Sequence, residues 1–210
     1  MTLGRDITLM IVCYCFGCFT SGYYWVRWRT GQDIRDHGSG TVGARNVGRL
    51  LGPFSFFATL LMDFTKGALA VWLAMKINAS PEGTVAAIVA AVVGHTWPAQ
   101  LRFQGGKGVA TSLGAILAFD PLLALLLVIV FLPCFALLRN FTLGGLLAFA
   151  LAPLLAFFVG LGNVSVAALS LVAGVILIAH RKNIREEISG ILAPRPLKEN
   201  SMHKNKGSGS

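Results

Sequence analysis

The chain has 210 residues, of which 55% are hydrophobic and only 13% charged, with a mean hydropathy of +0.69. A soluble domain carries about 25% charged residues, so this composition excludes a soluble enzyme, a disordered tail and a disulfide-stapled miniprotein. The apolar stretches are continuous rather than alternating, which points to an all-α integral membrane protein and away from a β-barrel. The net charge of +9 is read as a positive-inside bias plus attraction to anionic headgroups, not as a nucleic-acid surface. Cys13, Cys15, Cys18 and Cys134 lie in apolar runs with no clustered His or acidic residues. They are read as small apolar residues, neither a disulfide framework nor a metal site.

At ~20 apolar residues per crossing, the length holds six or seven spans. The first run, 7–28, ends in Tyr23, Tyr24, Trp25 and Trp28 with Arg27 and Arg29, the pattern of a helix end at headgroup level. It lacks a cleavage signature and is read as a retained span. A polar, glycine-rich stretch covers 29–49. The second run, 50–77, is interrupted by Asp63 and Lys66; an NASPEG turn then leads to 84–93. Polar residues fill 94–108, and a short run, 109–119, is closed by Asp120-Pro121. Runs at 122–138, 143–160 and 164–179 follow, and the basic tail ends in GSGS, which is excluded from the reading.

Seven crossings place 29–49, 95–108, 139–142 and 180–210 on one side, and these segments hold most of the Lys and Arg. Arg5 and Lys76 fall on the other side. The expected orientation is N-terminus outside and C-terminus cytoplasmic. The expected organisation is one transmembrane domain, 1–190, followed by a basic cytoplasmic tail, 191–210. The third and fourth runs are too short to span alone, so their polar ends must be sheltered by protein or line a cavity.

Three polar clusters share the cytoplasmic side. The first is Gly38-Ser39-Gly40-Thr41, followed by Arg45, Asn46 and Arg49. Glycines let backbone N–H groups approach a phosphate, and a following helix N-terminus favours an anion. Arg45 and Arg49 would share a helical face. It is not a P-loop, since no Gly-Lys-Ser/Thr closes it; a flexible loop with interfacial arginines is the plainer alternative. The second cluster, Gly105-Gly106-Lys107-Gly108, reads either as a phosphate cradle with a compact cation or as a tight turn with a snorkelling lysine. Nearby His95 reads as a structural hydrogen-bonding residue. The third places His180 and Asn183 three apart in a basic segment, where a histidine can be a general base or a phosphate ligand, or simply part of a membrane exit. Asp63 and Lys66 read either as a functional pair or as one that fixes helix packing.

The motifs DIRDHGSGTVGARNVGR, DFTKG (63–67), GHTWPAQLRFQGGKGVAT and HRKNI stand in the order and approximate spacing of the bacterial PlsY family. The chain resembles these membrane-embedded acyl-phosphate:glycerol-3-phosphate acyltransferases over roughly residues 7–190. The resemblance implies seven spans in the bacterial inner membrane and a site facing the cytoplasm. It implies transfer of a fatty acyl group from acyl phosphate to the 1-hydroxyl of glycerol 3-phosphate, giving lysophosphatidic acid and phosphate, with no cofactor or metal. Its implied partners are those two substrates and membrane lipids. By matching position, Ser39, Asn46, Arg49, Lys107, His180 and Asn183 correspond to functional residues of the family, and Gly105 and Gly106 to its phosphate-binding turn.

In the implied chemistry, Lys107 and the glycine N–H groups hold the acyl phosphate, while Arg49, Ser39 and Asn183 clamp glycerol 3-phosphate. His180 either orients the acceptor or takes its proton; a substrate phosphate oxygen is the other candidate base. Gly38, Gly40, Thr41, Arg45 and Asn46 complete the candidate phosphate-binding set. The chain departs from the family pattern at Thr41 (usually Asn), Arg45 (usually Thr) and Gln104 (usually Lys), and its third motif lacks the terminal Glu. A paralogue with another acceptor is therefore the alternative within the family. The alternative from another class is a phosphate-ester transporter or binding protein. Against it stand the lack of an internal repeat and the clustering of the motifs at one face rather than at the midplane.

Overall fold

A computed structural model describes residues 3–192, in which every regular element is helical. Most of the expected tail, 193–210, with Arg195, Lys198, Lys204 and Lys206, lies outside the described residues. One compact unit ends at His180 and contains α1 (Leu3–Cys18), α2 (Ser21–Thr30), α3 (Ala44–Leu51), α4 (Pro53–Lys76), α5 (Pro81–Thr96), α6 (Val109–Phe119), α7 (Pro121–Leu138), α8 (Phe141–Phe158) and α9 (Asn163–Ala179). A second unit begins at Arg181 with α10 (Arg181–Leu192).

Local chemistry sets most boundaries. Pro53, Pro81 and Pro121 open α4, α5 and α7, where a missing N–H removes no intrahelical bond. Ser80 Oγ accepts from Gly83 N–H at 3.0 Å, and Asp120 Oδ1 accepts from the Leu122 and Leu123 amides at 2.9 and 3.1 Å. These side chains satisfy donors that a helix start leaves orphaned.

Five segments are long and apolar enough to cross a bilayer: Gly4–Thr30, Pro53–Lys76, Pro81–Leu101, Pro121–Leu138 and Phe141–Phe158. Val109–Phe119 and Asn163–Ala179 are shorter apolar helices. At 1.5 Å per residue, the 11 residues of α6 extend only about 16 Å. The outward faces carry Phe54, Phe57, Leu61, Trp72, Leu122 and Phe158, each more than half exposed. A surface of this kind is matched to hydrocarbon rather than water.

Two boundaries differ from expectation. The first apolar run is broken at Phe19-Thr20, between α1 and α2. The third run, expected over 84–93, extends as helix from Pro81 through Gly94-His95-Thr96.

The core of the unit rests on two backbone crossings. A Cβ on Gly17 would overlap the Ala91 carbonyl and one on Gly94 the Tyr14 carbonyl, so α1 and α5 meet glycine to glycine. A Cβ on Gly67 would overlap the Thr111 carbonyl and one on Gly114 the Phe64 carbonyl, so α4 and α6 meet the same way. Small residues permit this approach where no hydrophobic drive pulls helices together in lipid. Lys66 precedes Gly67 and His95 follows Gly94, so the crossings also bring these two residues together.

Candidate active site

The first polar cluster is a loop built around one side chain. Asn46, in the first turn of α3 and 2% exposed, donates through Nδ2 to the carbonyls of Ile34 (3.2 Å), His37 (2.8 Å) and Thr41 (2.9 Å). Its Oδ1 accepts from Ser39 N–H at 3.0 Å. Its polar atoms are thus engaged in shaping the loop. Gly38 has φ +56°, and a Cβ there would overlap Asn46 Oδ1, so both conformation and space require glycine. Gly40 is also left-handed, at φ +66°. The Ser39 and Thr41 hydroxyls lie 3.1 Å apart at the surface.

Arg45 and Arg49, which share a face only if their stretch is helical, lie on α3, and both are exposed. Arg45 Nη1 donates to Thr142 Oγ1 at 2.7 Å, and its guanidinium lies 5.9 Å from the centre of the Phe141 ring.

A residue absent from the sequence-based set joins this loop to the second cluster. Arg35 forms a bidentate pair with Asp33 (2.6 Å at the shortest), donates to Leu101 O at 2.9 Å and stacks 5.5 Å from the Tyr23 ring centre. The Arg35 guanidinium holds the Asp33 carboxyl below the usual carboxylate range. Under the pair lie Val26, Ile34, Val42, Val47 and Leu101, all buried. The available signal was the i, i+2 Asp-Arg spacing within the DIR of the first motif.

The glycine turn of the second cluster folds back on α5. Gly105 N–H donates to Thr96 O (3.1 Å) and Gly106 N–H to His95 O (3.0 Å). A Cβ on Gly105 would overlap the His95 carbonyl, and one on Gly106 would overlap His95 Nε2. These two amides, which the sequence reading had assigned to phosphate, are bonded within the protein; the glycines serve close approach. Gly108, at φ +81°, caps α6, whose first-turn N–H groups have no intrahelical partner. Thr96 Oγ1, buried and with no hydrogen-bond partner, lies against Gly108. Half-buried Lys107 sits between the turn and this helix start.

His180 closes α9 and is 6% exposed. Its Nδ1 donates to Ile176 O at 2.8 Å, since a carbonyl only accepts, and the neutral ring therefore presents its lone pair at Nε2. Burial pushes its pKa down to about 4; the Ile176 bond opposes this, and the positive charges of Lys107 and Arg45 reinforce it. The unit thus places His180 within the field of Lys107 and Arg45. Asn183 is in α10, in the second unit.

A groove of about 810 Å³ lies elsewhere, between α1 and α4, lined by apolar residues such as Phe16, Phe19 and Leu61, with Lys66 in its wall. None of the candidate residues lines it. Among the described residues, no three His, Cys, Asp or Glu side chains group as metal ligands.

The family model described as glycerol-3-phosphate acyltransferase matches residues 7–190. The chain belongs to this family. It is 45% identical over 184 residues to glycerol-3-phosphate acyltransferase 1 of Desulfitobacterium hafniense (strain Y51), an alignment covering 88% of this chain and 91% of the relative. It is 40% identical over 179 residues to glycerol-3-phosphate acyltransferase of Halorhodospira halophila (strain DSM 244 / SL1), covering 85% and 91%. It is also similar to the crystal structure of PlsY (YgiH), an integral membrane glycerol 3-phosphate acyltransferase, in its glycerol 3-phosphate form. That match has a TM-score of 0.82 and 33% identity, covering 89% of this chain and 93% of that one. The lysophosphatidic acid form matches with a TM-score of 0.80 and 31% identity, covering the same shares. The acyltransferase fold is thus a membrane fold.

Proposed function

We propose that this acyltransferase moves a fatty acyl group from acyl phosphate to the 1-hydroxyl of glycerol 3-phosphate, releasing lysophosphatidic acid and inorganic phosphate. The observation that carries the reading is that the positive charges of Lys107 and Arg45 reach buried, neutral His180, with Lys107 two residues before the first residue of α6. Cations and helix-start amides suit phosphate groups, and a neutral imidazole suits a hydroxyl.

An acyl phosphate is a mixed anhydride, so no covalent enzyme intermediate is required and positioning with charge stabilisation carries the rate. The acceptor oxygen attacks the carbonyl carbon, the bond from that carbon to the phosphate oxygen breaks, and the electron pair leaves with phosphate. The hydroxyl proton has two candidate destinations. His180 Nε2, whose lone pair is left bare by the Nδ1 bond to Ile176 O, accepts the hydrogen bond that orients the hydroxyl, and the proton passes either to that nitrogen or to a phosphate oxygen of the substrate. Lys107 and the first-turn amides of α6 hold one phosphate; Ser39 and Arg49 hold the other, on the loop that Asn46 shapes.

Arg45 donates to Thr142 and lies over the Phe141 ring; the relatives named glycerol-3-phosphate acyltransferase support glycerol 3-phosphate over a changed acceptor. The excess of Lys and Arg in 29–49, 95–108 and 139–142 supports seven crossings of the bacterial inner membrane with the N-terminus outside and the site facing the cytoplasm.

The test supplies purified protein with palmitoyl phosphate and glycerol 3-phosphate, follows phosphate release and identifies the lipid by mass spectrometry. Lysophosphatidic acid that disappears in Lys107→Ala is the expected result. Phosphate release without that lipid would contradict the acceptor, and silence in both readouts would contradict the reaction.

A further inference from the structure

The buried charges of α4 take no part in the chemistry above. Asp63, Lys66 and His95 are 2%, 5% and 3% exposed. The Lys66 ammonium donates to Gly17 O (3.0 Å) and Phe19 O (2.8 Å), carbonyls at the break between α1 and α2. It lies 3.1 Å from Asp63 Oδ1 and 2.7 Å from His95 Nδ1. Asp63 Oδ1 also accepts from Ser21 Oγ at 2.9 Å. An ammonium has no lone pair, so Nδ1 of His95 is the acceptor and its neutral ring carries the proton on Nε2. That edge of the ring faces Gly106, where a Cβ would overlap Nε2, Cε1 and Cδ2. The Gly106 amide is meanwhile bonded to the carbonyl of the same histidine. The glycine turn therefore rests on the His95 ring, and the ring rests on Lys66.

We propose that His95 is a positioning residue: aligned by the Lys66–Asp63 pair, it sets where the Gly105–Lys107 turn lies and so how tightly one phosphate-bearing substrate is held. The inference rests on reading this turn as a phosphate site. Capping the two α1 carbonyls accounts for a donor at Lys66 but not for its bond to the ring. A charge pair taken into the membrane is expensive to keep unless it has a task. A flat ring against a glycine has few alternative rotamers, so its orientation passes directly to the backbone above it. A displacement of about 1 Å in a group that positions substrate is enough for roughly a hundredfold loss.

Histidine nitrogen NMR on the full-length protein in detergent tests the alignment. The wild type is expected to show His95 protonated at Nε2, with the other tautomer gaining population in Lys66→Met; a wild-type ring protonated at Nδ1 would overturn the inference. Steady-state kinetics test the consequence. His95→Asn keeps an acceptor for Lys66 but withdraws the edge beneath Gly106. It should raise KM for one of the two phosphate substrates by at least about tenfold, leave the other within about threefold, and be largely rescued by His95→Gln, whose amide reaches the Nε2 position. Equal changes in both KM values, a loss confined to kcat, or no change would each overturn it. Inorganic phosphate titrated into the same samples separates this inference from the assigned reaction. It should stabilise the wild type to heat, and His95→Asn should need about tenfold more of it. A wild type that phosphate does not stabilise would overturn the inference even where acyl transfer is observed.

Discussion

His95 and His180 carry their ring protons on opposite nitrogens. Lys66 presses an ammonium against His95 Nδ1 at 2.7 Å and leaves the proton on Nε2, whereas Ile176 O draws the Nδ1 proton of His180 at 2.8 Å and leaves Nε2 bare. One ring packs its Nε2 edge against Gly106, and the other leaves Nε2 as an acceptor. Two residues of one type are made unlike by what faces Nδ1: Lys66, with Asp63 Oδ1 at 3.7 Å, in one case and a carbonyl in the other.

The state of His180 makes stability depend on pH. Its folded pKa of about 4 lies below the ordinary 6.5, so between those values the unfolded chain binds a proton that the folded chain does not. The stabilisation from keeping the ring neutral is full above pH 6.5 and is lost as pH falls towards 4. Thermal unfolding of wild type and His180→Gln across this range should show the wild-type melting temperature falling relative to the variant as the medium becomes acidic.

Asn46 gives a test in which the closer substitute does more harm. Asn46→Ala removes the donors to three loop carbonyls and should cost about 1–3 kcal/mol. Asn46→Asp keeps an acceptor for Ser39 N–H but turns a carboxylate towards those carbonyls, and should be the less stable of the two. Melting temperatures in detergent rank them, and acyl transfer should fall in the same order.

The crossing of α4 and α6 has no room for a methyl group. Gly67→Ala and Gly114→Ala each press a Cβ into a facing carbonyl and should cost about 1–3 kcal/mol. Because both wedge the same crossing apart, the double variant should lose less than the sum of the two, which thermal or denaturant unfolding can measure.

The start of α8 couples a helix cap to Arg45. Asn140 Oδ1 accepts from the Thr142 and Leu143 amides at 2.9 and 3.0 Å, while Thr142 Oγ1 receives Arg45. Asn140→Ala should cost about 1 kcal/mol and loosen the guanidinium. Thr142→Val should leave stability nearly unchanged while altering KM for glycerol 3-phosphate, so paired unfolding and kinetic measurements separate cap from tether.

What could be read in advance was whatever depends on neighbours in the chain. Continuous apolar runs marked the helices, and Asp120-Pro121 marked the end of α6 and the start of α7. The break at Phe19-Thr20 was not legible, because the groups that satisfy its carbonyls are Lys66 and Gln100, far along the chain. The extension of α5 through Gly94-His95-Thr96 was hidden likewise: the amides of Gly105 and Gly106 donate to two of its last carbonyls, so polarity there marked a docking surface on the helix. For the same reason glycines that looked like phosphate donors have their amides bonded inward. The site motifs were visible; which atoms they present depended on partners that only folding supplies.

The break in the first membrane segment also bears on how the protein enters its bilayer. As synthesis proceeds, α1 and α2 emerge before Lys66 exists, and the carbonyls of Gly17 and Phe19 face the insertion machinery without their ammonium. Lys66 in turn arrives on α4 beside Asp63 but without the two carbonyls to which it donates. Each of these segments carries the remedy for the other's defect.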